Sequence, residues 1–94
     1  MIPQRIITTV VPILKHHEVV HAGVFGSFAR GGQTEKSDLD LLIEMPQGKS
    51  LLDLGGLYMD LKEALNMRVH LVTTRTNVHP LIKQNIDHDL VPIL

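Results

Sequence analysis

Cysteine is absent from this 94-residue chain, and so is tryptophan. Without thiols there is no disulfide framework, no thiolate zinc site and no cysteine nucleophile, which fits a reducing cytoplasm. Aromatic rings are few: Phe25, Phe28 and Tyr58. A sequence-tolerant binder of single-stranded nucleic acid stacks bases on rings along a basic groove, and this chain has neither in quantity. An excess of one charge is missing too. Nine Lys and Arg stand against ten Asp and Glu, a net of −1. Bulk electrostatics therefore offers no attraction to a polyanion. Nucleic acid is not the expected partner, and any nucleotide is expected as a small molecule. No apolar run is long enough to span a bilayer. Pro3 and Pro12 break the N-terminal segment, and no small-residue cleavage site follows it. Neither a membrane span nor a signal peptide is expected, so the expected location is cytoplasmic.

Leu, Ile and Val are plentiful, enough for a real core in a single domain spanning residues 1–94. Domains this small often gain stability by joining another chain. Apolar residues at Ile6, Ile7, Val10, Val11, Ile13 and Leu14 predict an amphipathic helix over 5–17, with Pro12 kinking it or delaying its start. Residues 19–25 read as a strand ended by Gly26, and 27–30 as a short helix stopped by Gly31-Gly32. A polar loop leads to a second strand over 38–44. Ser50 is a good N-cap, with Asp53 suited to the first-turn amides. A helix comes next, with Leu51, Leu54, Leu57, Tyr58, Leu61 and Leu65 on one stripe, ending at Asn66. Gly55-Gly56 inside it costs helix propensity, which predicts close packing against a neighbour. Residues 68–72 read as a third strand, His79-Pro80 opens a last helix to about His88, and 90–94 form a tail or short strand. The fold class is α/β (α+β), one small mixed sheet flanked by helices.

Gly26-Ser27 falls where a strand turns into a helix. Glycine there lets backbone amides approach a phosphate without a side-chain clash, and Ser27 adds a hydroxyl donor. Asp38 and Asp40 carry more weight. Residues i and i+2 of a strand share a face, so the two carboxylates converge. Their repulsion is relieved by a cation, and hard oxygen ligands of this kind suit Mg²⁺, which takes one or two protein carboxylates and fills its shell with water and phosphate oxygens. Leu39 between them points to the core. Taken alone, an Asp-x-Asp pair is more often the wet side of a strand.

The combination Phe25-Gly26-Ser27-Phe28-Ala29-Arg30-Gly31, a polar loop, then Ser37-Asp38-Leu39-Asp40-Leu41-Leu42-Ile43 resembles the signature of the DNA polymerase β-like nucleotidyltransferases. It is most similar to their minimal nucleotidyltransferase (MNT) domains. Ser50-Leu51-Leu52-Asp53-Leu54 and Arg68-Val69-His70-Leu71-Val72-Thr73 look like that family's later elements. The likeness thus covers nearly the whole chain. It implies that Gly26 and Ser27 hold the phosphates of a nucleoside triphosphate, ATP by family, and that Asp38 and Asp40 bind Mg²⁺, or Mn²⁺ in its place. An acceptor hydroxyl then attacks the α-phosphorus and displaces pyrophosphate. Arg30 adds a charge-assisted phosphate contact or is simply a solvated helix end, and Lys36 reads as a solvated loop lysine.

The pattern breaks at one position. The family normally has a third carboxylate in a segment of the form Val-Asp-Leu-Val, and here His70 stands in its place. Neutral imidazole is a poor Mg²⁺ ligand, though it can serve as a general base. Three readings are open: weakened transfer with nucleotide binding kept, activity with another metal or a histidine base, or an engineered change that removes activity. The residues favour the first. His16, His17, His21, His79 and His88 are expected on the surface, and Met45, Met59 and Met67 in packing roles. A 94-residue chain has no second domain for an acceptor, so a partner polypeptide is expected. The resemblance implies a HEPN-domain toxin, neutralised by transfer of AMP or, in the alternative, by binding alone; a hetero-oligomer is expected, with a homo-oligomer as the other outcome.

Overall fold

The computed structural model describes residues 2–74 and 79–94. Among them, helices α1 (Gln4–His16), α2 (Ser27–Arg30), α3 (Leu51–Leu65) and α4 (Pro80–Asp89) alternate with strands β1 (His21–Phe25), β2 (Leu39–Glu44), β3 (Val69–Thr73) and β4 (Val91–Pro92). The sheet runs β3-β2-β1-β4. β2 pairs parallel with β3, and β1 pairs antiparallel with both β2 and β4. The sheet is mixed, as predicted.

Alternation along β2 sets the layers. Leu39, Leu41 and Ile43 are fully buried, while Asp40, Leu42 and Glu44 face the other side. Onto the first face α1 lays Ile6, Val10 and Leu14, and α3 lays Leu57 and Leu61, all without solvent contact. Each such side chain contributes about 1.5–3 kcal/mol of burial. That is what pins the strand register, because a one-residue slip would turn these groups outward. The second face is left for polar chemistry at one end.

The ends of the elements mostly obey their residues. Ser50 and Asp53 form a reciprocal capping box: the Asp53 carboxylate accepts from the Ser50 amide at 2.7 Å, and Ser50 Oγ accepts from the Asp53 amide at 3.4 Å. The Ser50 amide holds the Asp53 carboxyl below the usual carboxylate range. Asn66 ends α3 in the left-handed region, where asparagine is tolerated. His17 joins the two core helices, its Nε2 lying 2.6 Å from Asp60 Oδ2. Strand pairing starts with the Val20 amide on the Glu44 carbonyl, since Val19 still belongs to the turn that closes α1.

Three expectations are corrected. α1 starts at Gln4, so Pro12 does not delay it, and the helix continues through Pro12. Pro12 and Thr8 both lie on the exposed side, so water can satisfy the carbonyl that loses its donor. Met59 is 59% exposed and packs no core, whereas Met45 and Met67 do pack against it. Among the described residues Gly55-Gly56 is not a close helix contact: a Cβ on Gly55 would meet nothing within 4 Å, and one on Gly56 only His17 Cε1 at 3.8 Å. Gly23 does permit a close approach: a Cβ there would lie 2.6 Å from Leu90 Cδ1 and 3.2 Å from the Val91 carbonyl oxygen. It lets the chain after α4 lie against β1.

An exposed mid-helix glycine with open space around it costs helix stability and gains nothing. Gly55→Ala is therefore expected to stabilise the protein by about 0.5–1 kcal/mol, read by urea unfolding. A loss of stability would show that the position is occupied.

Candidate functional site

β1 delivers the chain to Gly26 at φ 73, ψ −151, a conformation open to glycine. A Cβ at Gly26 would collide with the Asp40 carboxylate. The Gly26 turn thus touches one of the two predicted acids directly. Ser27 opens α2, a single turn closed by the Arg30 amide on the Gly26 carbonyl and by Gly31 in the left-handed region.

Strand register brings the rest. Phe25 pairs with Asp40 across β1 and β2, and Asp40 pairs with His70 across β2 and β3. The three side chains form a row on the second face of the sheet. His70 Nδ1 lies 3.1 Å from Asp40 Oδ1, and the Phe25 ring meets the imidazole at 6.4 Å in a tilted, edge-on arrangement. Phe25 is buried, Asp40 is one-fifth exposed and His70 about half exposed, so the row runs from core to solvent.

Asp38 lies just ahead of β2. Arg68 Nε comes within 2.8 Å of its Oδ1, while Arg68 Nη2 donates to the Lys36 carbonyl at 2.8 Å. The Arg68–Asp38 approach is an ion pair without hydrogen-bond alignment, and Asp38 Oδ1 is shielded from solvent with no hydrogen-bond donor among the described residues. The loop before it is held by its own hydroxyls: the Thr34 amide donates to Ser37 Oγ and the Lys36 amide to Thr34 Oγ1. Arg30 is tied to α4, its Nη1 donating to Asp89 Oδ2 at 2.5 Å.

The electrostatics reflect this geometry. Burial pushes the Asp40 carboxyl above its ordinary value, and the Asp38 charge pushes the same way. The hydrogen bond and charge of His70, and the charge of Arg30, pull it back. Four of the predicted residues (Asp38, Asp40, His70 and Arg30) are therefore linked through the field at Asp40, and Gly26 abuts Asp40. Among the described residues no three His, Asp or Glu side chains stand close enough to cage a metal ion. The Asp38 charge acts on Asp40, and such a pair of carboxylates fits Mg²⁺, which needs only one or two protein oxygens when phosphate and water complete the shell. Sequence reasoning missed Arg68 and Asp89. Arg68 had a signal, because the strand expected over 68–72 puts it two residues before His70 on one face, although β3 itself begins at Val69.

A family model described as the nucleotidyltransferase domain matches residues 7–91. The chain belongs to that family. A Methanocaldococcus jannaschii relative that carries the name protein adenylyltransferase is 46% identical over 85 residues, which is 90% of each chain. The solved structure of a minimal nucleotidyltransferase superposes with a TM-score of 0.78 at 34% identity, covering 95% of this chain and 90% of the other. A chain from a complex of tri-AMPylated Shewanella oneidensis HEPN toxin with an MNT antitoxin gives a TM-score of 0.72 at 17% identity, covering 97% and 71%. At that identity the likeness is one of fold. The resemblance drawn from the Gly-Ser and Asp-x-Asp segments is borne out. No helix among the described residues of this minimal nucleotidyltransferase is long and apolar enough to cross a membrane.

Because the folded protein holds the Asp40 proton more tightly than the unfolded chain does, stability is lost as pH rises through its folded pKa. The neutral isostere Asp40→Asn removes that cost. In metal-free buffer at pH 7 it is expected to melt at or above the wild-type temperature. A marked fall would mean that the Asp40–His70 bond outweighs the burial of the charge.

Proposed function

We propose that this minimal nucleotidyltransferase binds ATP with a divalent metal and transfers AMP to a hydroxyl of a partner protein of the HEPN toxin class. One observation carries the reading: the side-chain-free Gly26 turn lies directly against Asp40, the in-register partner of His70. The adenylyltransferase name of a relative 46% identical to this chain supports AMP as the group transferred. The fold shared with a chain of a HEPN–MNT complex supports the partner.

On this reading the triphosphate lies over the Gly26 turn, with the Ser27 hydroxyl as a donor and Arg30 supplying charge. Asp38 and Asp40 would hold the metal, which supplies charge stabilisation on the phosphate oxygens when bound. The acceptor oxygen bonds to the α-phosphorus as the bond to the β-phosphate breaks and pyrophosphate leaves. An ionised carboxylate can only accept, so His70 donates from Nδ1 to Asp40. Nε2 then keeps its lone pair and takes the proton from the acceptor hydroxyl. Asp40 orients that imidazole.

A second reading draws on the same pair. Position 70 offers imidazole in place of an acid, and one Asp40 oxygen is already bonded to it. Transfer would then be weak, and the protein would neutralise its toxin by binding.

Intact mass separates the two. The protein is incubated with ATP, Mg²⁺ or Mn²⁺ and its cognate HEPN protein. Transfer predicts one or more added AMP units on the partner, lost in Asp38→Ala and Asp40→Ala and slowed about 10²–10⁴-fold in His70→Ala. No added mass with either metal contradicts transfer. Added mass that appears only with His70→Asp supports the binding reading.

A further inference from the structure

Arg30 is held from far along the chain. Its guanidinium is half exposed, but the Asp89 carboxylate it donates to is only 13% exposed. Asp89 is the last residue of α4. A carboxylate there opposes the negative end of the helix dipole, so it needs a cation to be tolerated. α4 buries no residue among those described, and packing of its own does not fix Asp89. The segment after the helix does. Leu90 seats against Gly23, Val91 and Pro92 pair with β1, and the Ile93 and Leu94 amides donate to the Ala22 carbonyl. The carboxylate is thereby anchored to the strand that leads into the Gly26 turn.

A guanidinium has five N–H donors in a rigid plane. Asp89 engages Nη1, which leaves the rest of the fork for another anion. Arg30 is also close enough to Asp40 for its charge to act there. We infer that Asp89 is a positioning residue: it holds the Arg30 guanidinium at the phosphate side of the Gly26 turn before nucleotide arrives. An arginine ordered in advance loses less freedom on binding a triphosphate. This inference rests on the proposed nucleotide binding and adds to it the role of the chain's C-terminal segment.

Calorimetric titration of ATP and of AMP, each with Mg²⁺, tests it. Asp89→Asn is expected to weaken ATP about tenfold and AMP much less, because a triphosphate offers the guanidinium more charge and more oxygens than a monophosphate. Arg30→Ala is expected to weaken ATP at least as much, and adding Asp89→Asn to Arg30→Ala should cost nothing further. A purely structural role would lower the melting temperature and leave the ATP-to-AMP ratio unmoved. Should Asp89→Asn fail to fold, Arg30→Lys carries the test: it keeps the charge without the fork and is expected to lose ATP affinity similarly. Wild-type affinity in Asp89→Asn, or in Arg30→Lys, overturns the inference, as do additive losses in the double variant. If the wild type binds no ATP, the nucleotide reading itself falls, and the first titration shows it before any variant is made.

Discussion

Two carboxylates, Asp38 just ahead of β2 and Asp40 within it, repel each other, and the protein must hold them together without unfolding its sheet. The hydrophobic side of that same strand makes this possible. Leu39, Leu41 and Ile43 are completely buried between α1, α3 and the sheet, and their burial fixes which way Asp38 and Asp40 face. β3 and the residue just ahead of it then bring a side chain to each acid, Arg68 to Asp38 and His70 to Asp40. In the resting site Arg68 pairs with Asp38 and His70 hydrogen-bonds Asp40. A metal and a triphosphate arriving there would exchange partners with side chains already in place.

That arrangement gives the missing third carboxylate a physical meaning. An acid at position 70 would stand next to Asp40 in register and add to the repulsion. His70 instead takes the Asp40 carboxylate as its bonding partner and keeps its other nitrogen for a second one. Under the proposed function, the residue standing where the family resemblance implies an acid supplies an oriented imidazole instead. Whether the chain relies on transfer or on binding turns on which of these effects dominates.

Much of this is legible in the residues because it depends on local rules. Alternation along 38–44 places the acids and the core, Gly26-Ser27 marks the turn, and Ser50 with Asp53 announces the cap of α3. The rest depends on long-range contact. Nothing in the spacing connects Arg30 with Asp89, 59 residues away, or says that Leu90 lies against Gly23. Gly55-Gly56 misleads for the opposite reason: two glycines in a helix imply a neighbour, and within the described residues only the His17 ring comes near. Met59 beside them is exposed too. Pro12 reads as a disruption, but on the wet side of an amphipathic helix its missing donor costs little. Motif chemistry is local, so the site residues stand out in the sequence. Their supports do not, because tertiary structure alone supplies them.

Under the proposed function, nucleotide and metal meet at the Gly26 turn beside Asp38 and Asp40. Substoichiometric Mn²⁺ added to the ¹⁵N-labelled protein with ATP would report this directly, through paramagnetic loss of amide signals near the ion. Loss is expected to centre on Gly26, Ser27, residues 38–40 and His70, and to vanish in Asp38→Asn/Asp40→Asn. Loss centred elsewhere, such as on the exposed face of α3, or unchanged loss in the double variant, would contradict it.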